Sequence, residues 1–407
     1  MKKLFVIILF AGTLTSAFAQ EGAEQKYRRS SIYSVLINHT DQQFASEIKD
    51  AFLQIPVPDK FNDHNLSVKV LNLNTKLEGA AKEKENPLIS EFLQKNKVAS
   101  RLVGRWFNRD YFTGACDMEL VKERGLYNAT EMDKQLAMRS ARGMAMLQDA
   151  GEDLIGNTFV LVNDIRYVDK NKTAKTGATF LKILGSVAAI ATGTNIDDLT
   201  DNIGNMVETI KGFSVKINSF LYKLEWSPEQ AMLFYQEQYS ANPDNTKRNN
   251  FEKARNSYKL KYVGKVESSG GTTSFLGINE EEPIVMVRKA CQRAIDENVV
   301  DLQRDYEEFR TKSPLVSVEP LTAYVGMKEG VTTKSKYEVL EVVELENGSH
   351  KYERVGVIEP IPNLIWDNRF MASEEGAAGA NLGFTTFRKV SGKVFSKGML
   401  IREMSSK

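Results

Sequence analysis

From Pro283 to about Lys312, the side chains Val287, Cys291, Ile295, Val299, Leu302, Tyr306 and Phe309 step by four, four, four, three, four and three positions. That is the period of an α-helix with one face in a core and the other in water. It predicts the longest helix of the chain, and Ser313-Pro314 stops it, because proline disfavours helical backbone at the residue before it. Everything beyond that point reads as β. Leu315 to Val325, Lys336 to Leu345, Lys351 to Glu359, Gly383 to Val394 and Met399 to Met404 read as strands. Asn347-Gly348, between the second and third, is a strong hairpin signal. Short strands packed this densely point to a small barrel.

Upstream of the long helix, strands and helices mix. Ser31 to Ile37, Leu66 to Leu73, Thr158 to Val168, Phe213 to Trp226 and Tyr258 to Glu267 read as apolar or alternating strands. Helices are predicted over Asp41 to Leu53, with Phe44, Ile48 and Phe52 four apart, and from Pro87 to about Trp106. Further helices are predicted over Thr130 to Leu154 and Pro228 to Tyr239. Met132, Met138, Met144 and Met146 on the third of these read as core filling. Ala241 to Asn250 and Ser268 to Glu282 read as loops. Between two strands lies a helical excursion over 170–212, with small and apolar residues over Thr176 to Thr194 and a helix from Asn195 to Gly212. The fold class is therefore α+β: an α/β sandwich-like region over 31–312 that ends in the long helix, then a small β-barrel-like module over 314–407.

The N-terminus carries a different message. Lys2 and Lys3 precede an apolar run, and Ala17-Phe18-Ala19 offers small residues where a signal peptidase reads. Residues 1–19 are expected to be a secretory signal, and 20–30 a flexible lead-in. The full chain of 407 residues has 54 basic and 53 acidic side chains; without Lys2 and Lys3 the basic count is 52. A balanced chain has no global pull toward nucleic acid or anionic lipid, so a nucleic-acid partner is not expected.

The chemical inventory is thin. Neither Cys116 nor Cys291 has a nearby partner in sequence, and both are expected as buried thiols rather than a disulfide. His39, His64 and His350 lie outside metal-ligand spacing and read as solvated loop histidines. Glu280 to Glu282 and Asp197-Asp198 lack calcium-loop spacing. No catalytic, cofactor or metal residue is assigned. The candidate interaction residues are Phe180, Leu181, Leu184, Val187 and Ile190 on the excursion, and Trp106, Arg109 and Tyr111 in an aromatic and charged run. Tyr, Trp and Arg carry contact energy at interfaces. A peripheral membrane contact through 177–194 is a further expectation, because Lys182 and the short length oppose a full span.

The order of strands at Thr158, Phe213 and Tyr258, followed by a long helix from Pro283 with Ala290, Ala294 and Ile295, resembles the α/β domain of the curli secretion channel protein and of TolB-type N-terminal domains. The β module, with Val325-Gly326-Met327-Lys328-Glu329-Gly330, Tyr337-Glu338-Val339 and Val355-Gly356-Val357, resembles the C-terminal domain of flagellar assembly protein T. The whole chain is also similar to secreted proteins of Bacteroidota. Curli-type channels carry a lipid-bearing cysteine and membrane-crossing hairpins, and this chain has neither pattern, so a pore role does not transfer. The resemblance implies an exported, non-enzymatic accessory protein of the periplasm or outer membrane, assembling with itself or with an envelope protein. The alternative expectation is a secreted hydrolase or glycan-binding protein, which would need two acids facing each other in a cleft.

Overall fold

The computed structural model describes residues 28–72, 82–127, 151–168, 210–275, 283–344 and 350–404. The signal segment, the helix expected over Thr130 to Leu154 as far as Ala150, most of the excursion and the Asn347-Gly348 turn lie outside the described residues.

Two sheets organise the chain. The first contains β1 (Ser31–Asn38), β2 (Asn62–Asp63), β3 (Val70–Asn72), β4 (Thr158–Tyr167), β5 (Ile210–Leu224) and β6 (Leu260–Phe275). Its order is β2-β1-β4-β5-β6, with β3 also on β1. The strands β2, β3 and β4 run parallel to β1, and β5 and β6 continue antiparallel. Side chains alternate between faces along each strand. Tyr33, Val35, Val160, Val162, Phe220 and Tyr222 enter one core, and Ile32, Leu36, Phe159, Leu161, Ile217 and Leu221 enter another.

Five short helices cover the first core: α2 (Pro87–Lys95), α3 (Val98–Trp106), α4 (Glu119–Tyr127), α5 (Pro228–Glu237) and α6 (Asn245–Ala254). The second core is covered by α1 (Ala45–Gln54) and the long α7 (Pro283–Asp305). Their starts follow local chemistry. Asn86 accepts from the Leu88 amide ahead of Pro87, Ser227 accepts from Gln230 ahead of Pro228, and Asp244 accepts from Thr246 and Lys247. Each cap satisfies amides that the first helical turn leaves open.

The long helix lies close to β6. A side chain at Gly270 would run into the Ala290 carbonyl, so glycine is required where helix and strand touch. Polar bonds cross the same gap: the Ser268 hydroxyl donates to the Ala294 carbonyl at 2.8 Å, and the Asn298 amide donates to Ser219 Oγ at 2.8 Å. Ser219 in turn donates to Asn163 at 2.7 Å, and Asn163 donates to Ser34 at 3.2 Å. A buried polar chain thus runs from α7 across β5, β4 and β1, which fixes the register of helix on sheet.

The second sheet follows Lys312 directly. It contains β7 (Ser313–Val318), β8 (Leu321–Ala323), β9 (Tyr337–Glu344), β10 (His350–Pro360), β11 (Thr385–Gly392) and β12 (Leu400–Glu403). Its strands pair in the order β10-β11-β8-β7-β12-β9 over a core of Leu315, Val339, Ile358, Phe387 and Ile401. Ionic contacts join it to the first unit: Lys328 with Asp59 at 2.9 Å, Arg304 with Glu403 at 3.1 Å and Arg293 with Glu375 at 2.7 Å.

Several expectations change. The helix expected from Pro87 to Trp106 breaks at Lys97, whose φ of 53° separates α2 from α3. Residues 245–250, expected as loop, begin α6 because Asp244 caps them. Ser268 to Phe275, also expected as loop, extends β6, and Gly270 within it lets α7 approach. Residues 210–212 belong to β5 rather than to a helix. The expected strand from Leu315 to Val325 is a hairpin, turned at Glu319-Pro320.

Candidate functional site

Among the described residues, a groove of about 290 Å³ opens on the five-helix face between α3 and α6. Arg101, Arg105, Arg109 and Arg255 surround it, with Glu252 among them. On α3 the apolar positions Leu102, Val103 and Trp106 face the core, which turns Arg101 and Arg105 outward, one helical turn apart. Lys97, at the left-handed break, sets the direction of α3. Asn108, with φ of 43°, ends it and turns the chain into the loop that carries Tyr111.

The charges are unevenly matched. Glu252 pairs with Arg109 at 3.3 Å and with Arg255 at 3.1 Å. Arg255 also donates to Ser100 Oγ at 3.2 Å. Arg101 donates to Ser67 Oγ at 3.2 Å, and neither Arg101 nor Arg105 has a carboxylate partner among the described residues. Gly104 leaves the floor open: a Cβ there would be 3.8 Å from Arg109 and 4.0 Å from Phe251. At the rim Tyr111 is 65 % exposed, and Phe112, edge-on to it at 5.4 Å, is 79 % exposed.

The three candidates from the aromatic run separate. Tyr111 stands at the rim of the groove. Trp106 does not: it is fully buried, and its indole donates to Thr158 Oγ1 at 2.8 Å. The guanidinium of Arg124 lies 4.4 Å from the Trp106 ring centre and donates to Ser31 Oγ and the Asp63 carbonyl, both at 2.9 Å. Arg109 lines the groove, but its side chain is only 5 % exposed and stacks over Phe251 at 4.1 Å. Through Phe251, Glu252 and the Arg248 carbonyl it holds α6 beside the end of α3, and burial lowers its pKa. Phe180, Leu181, Leu184, Val187 and Ile190 lie outside the described residues. Arg101, Arg105 and Arg255 were missed. The fourfold spacing of Arg101, Arg105 and Arg109 was a usable signal, since it places charge on one face of a helix whose other face is apolar.

Two histidines expected in solvent are buried. His64 sits against Leu102, its Nε2 3.0 Å from that carbonyl, while Arg124 donates to its Nδ1 at 2.9 Å. Burial and the positive Arg124 hold its pKa well below the usual range, so the ring is neutral. His39 is also fully buried and meets Asp164 at 2.5 Å, at the end of the parallel strands. Cys116 and Cys291 are free, buried and in cores on opposite faces of the sheet. Burial raises both thiols, Cys291 to about 12, which makes them poor nucleophiles.

A second cavity lies where α7 meets the β module. It is lined in part by Arg304, Glu329, Tyr337 and Glu403, and its volume of about 50 Å³ admits waters but no substrate. Beside this seam, Asp296 is raised to about 7, first by burial, with Glu329 and Asp59 adding to the rise and Lys328 and Arg293 opposing it. Among the described residues no group of three His, Cys, Asp or Glu is placed to hold a metal ion, and no helix is long and apolar enough to cross a membrane. No family profile matches the chain, and no curated protein is detectably similar to it.

Proposed function

We propose that this is an exported, non-enzymatic accessory protein of the cell envelope that acts by binding another protein. The contact surface is the α3 groove with its aromatic rim. The observation that carries this reading is the pairing of exposed Tyr111 and Phe112 with two arginines, Arg101 and Arg105, that have no carboxylate partner among the described residues. Large exposed aromatics beside guanidinium groups are the chemistry of interface anchors. The export half rests on Lys2, Lys3 and Ala17 to Ala19 at the N-terminus. The β module, read as a barrel-like unit, holds α7 and so supports the platform from the far side of the sheet.

A crosslinking pull-down of the tagged protein from gently solubilised envelopes tests the reading. The expected result is a specific partner, reduced about tenfold by Tyr111→Ala with Phe112→Ala. Recovery of the protein alone, or of a partner indifferent to the double change, would overturn it.

A further inference from the structure

The geometry points to an extended acidic peptide, with carboxylates at alternate positions, as the segment that occupies the α3 groove. This rests on the partner-binding reading and gives it a chemistry.

The spacing argument comes first. Arg101 and Arg105 are four residues apart on a regular helix, so their backbone origins differ by about 6 Å along the axis. In an extended chain, side chains two residues apart lie on the same face about 6.6–6.8 Å apart. A segment of the form acid-x-acid therefore places successive carboxylates opposite successive guanidiniums. Arg binds carboxylate through two parallel N–H donors, which makes the match directional. Arg255 stands across the groove from α6, with Glu252 already shared between it and Arg109.

The floor suits a backbone. Gly104 contributes no side chain, and the surfaces below it are Phe251 and the stem of Arg109. An intervening apolar residue of the ligand can rest there, and Tyr111 can close over its end. The groove is short and open, with a volume of about 290 Å³, which fits a few residues of chain.

Charge balance separates peptide from nucleic acid. A nucleic acid is held by many phosphate contacts and a broad basic field. This chain has 54 basic against 53 acidic side chains, and among the described residues the excess charge of the groove comes from its own four arginines set against Glu252.

The test is fluorescence anisotropy with the full-length mature protein and a labelled peptide alternating Glu with Thr. Controls are the same composition with all Glu contiguous, a Gln-for-Glu version, and a labelled single-stranded oligonucleotide. The expected result is saturable binding of the alternating peptide that falls with salt, is weaker for the contiguous peptide and is absent for the Gln version. Arg101→Glu with Arg105→Glu is expected to weaken it at least about tenfold. Arg105→Glu alone, at an exposed site, serves if the double variant misfolds, with a smaller loss in the same direction. Equal binding by wild type and variants, or tighter binding of the oligonucleotide, would falsify the proposal. If the alternating peptide does not bind but pull-down still depends on Tyr111 and Phe112, the acidic chemistry is wrong and the partner reading survives. If both fail, both fall.

Discussion

The two covers of the central sheet solve the same problem with opposite means. On one side α7 runs for 23 residues and presents Val287, Ala290, Cys291 and Ala294 to the strands. It touches so closely that Gly270 has no room for a side chain. On the other side five helices of nine or ten residues fill the space with rings. Trp106, Phe107, Phe234 and Phe251 lie there, with Arg109 and Arg124 stacked on two of them. One long helix, with only the short α1 beside it, leaves few ends and few gaps. Several short ones leave loops and a groove, and the exposed chemistry collects there. The smooth side carries the β module, and among the described residues the broken side carries the groove and its exposed aromatic rim.

The comparison can be broken first at its aromatic hub. Trp106→Ala removes a fully buried ring, its bond to Thr158 and the surface on which Arg124 rests. The expected loss is about 4 kcal/mol, read by denaturant unfolding. A loss below ~1 kcal/mol would mean that the five-helix side is not packed as described.

Acid and base should next tell the two sides apart. The folded protein holds the Asp296 proton up to about pH 7, whereas an unfolded carboxyl releases it near 3.8. The folded state then binds more protons in that window, so this group makes stability fall as pH rises through it. Asp296→Asn should remove that slope and gain about 2–4 kcal/mol relative to wild type by the upper end of the window. His64 acts with the opposite sign. It is held neutral when folded and takes a proton near 6.5 when unfolded, so its contribution is lost as pH falls below that value. Unfolding midpoints of wild type, Asp296→Asn and His64→Gln across the range check both slopes. Parallel curves would remove the distinction.

The smallest expected effect sharpens the picture of α7. Gly270→Ala pushes a methyl group against the Ala290 carbonyl and should cost about 1–3 kcal/mol, with α7 shifted from β6. Unchanged melting would show that helix and strand are less tightly apposed.

Much of this contrast was legible in the sequence. The apolar period placed the long helix, which ends at Asp305 rather than near Lys312, and Ser313-Pro314 marked the start of the second sheet; the early end is a 3-10 turn at Glu307–Phe309 that keeps Phe309 in the core. The break between α2 and α3 was not legible, since Lys97 gives no sign of a left-handed backbone. The length of β6 was hidden by Gly270 and Gly271, which read as loop residues until the helix above them is known. The run from Trp106 to Phe112 reads as either interface or core edge, because aromatic and charged residues mix there; the helical phase of α3 decides Trp106 for the core. The burial of His39 and His64 depends on partners 125 and 60 residues away, Asp164 and Arg124, and no local pattern encodes that.

The strand Leu400–Glu403 has two neighbours, β7 and β9, and it also carries Glu403 and Arg402, which reach Arg304 and Glu307 at the end of α7. β7 and β9 therefore cannot be joined through it, nor these ties to the long helix form, until that segment is available. During synthesis this part of the union of the two units waits for one short strand near the end of the sequence. Cleavage just before Leu400 would undo that pairing and these ties together.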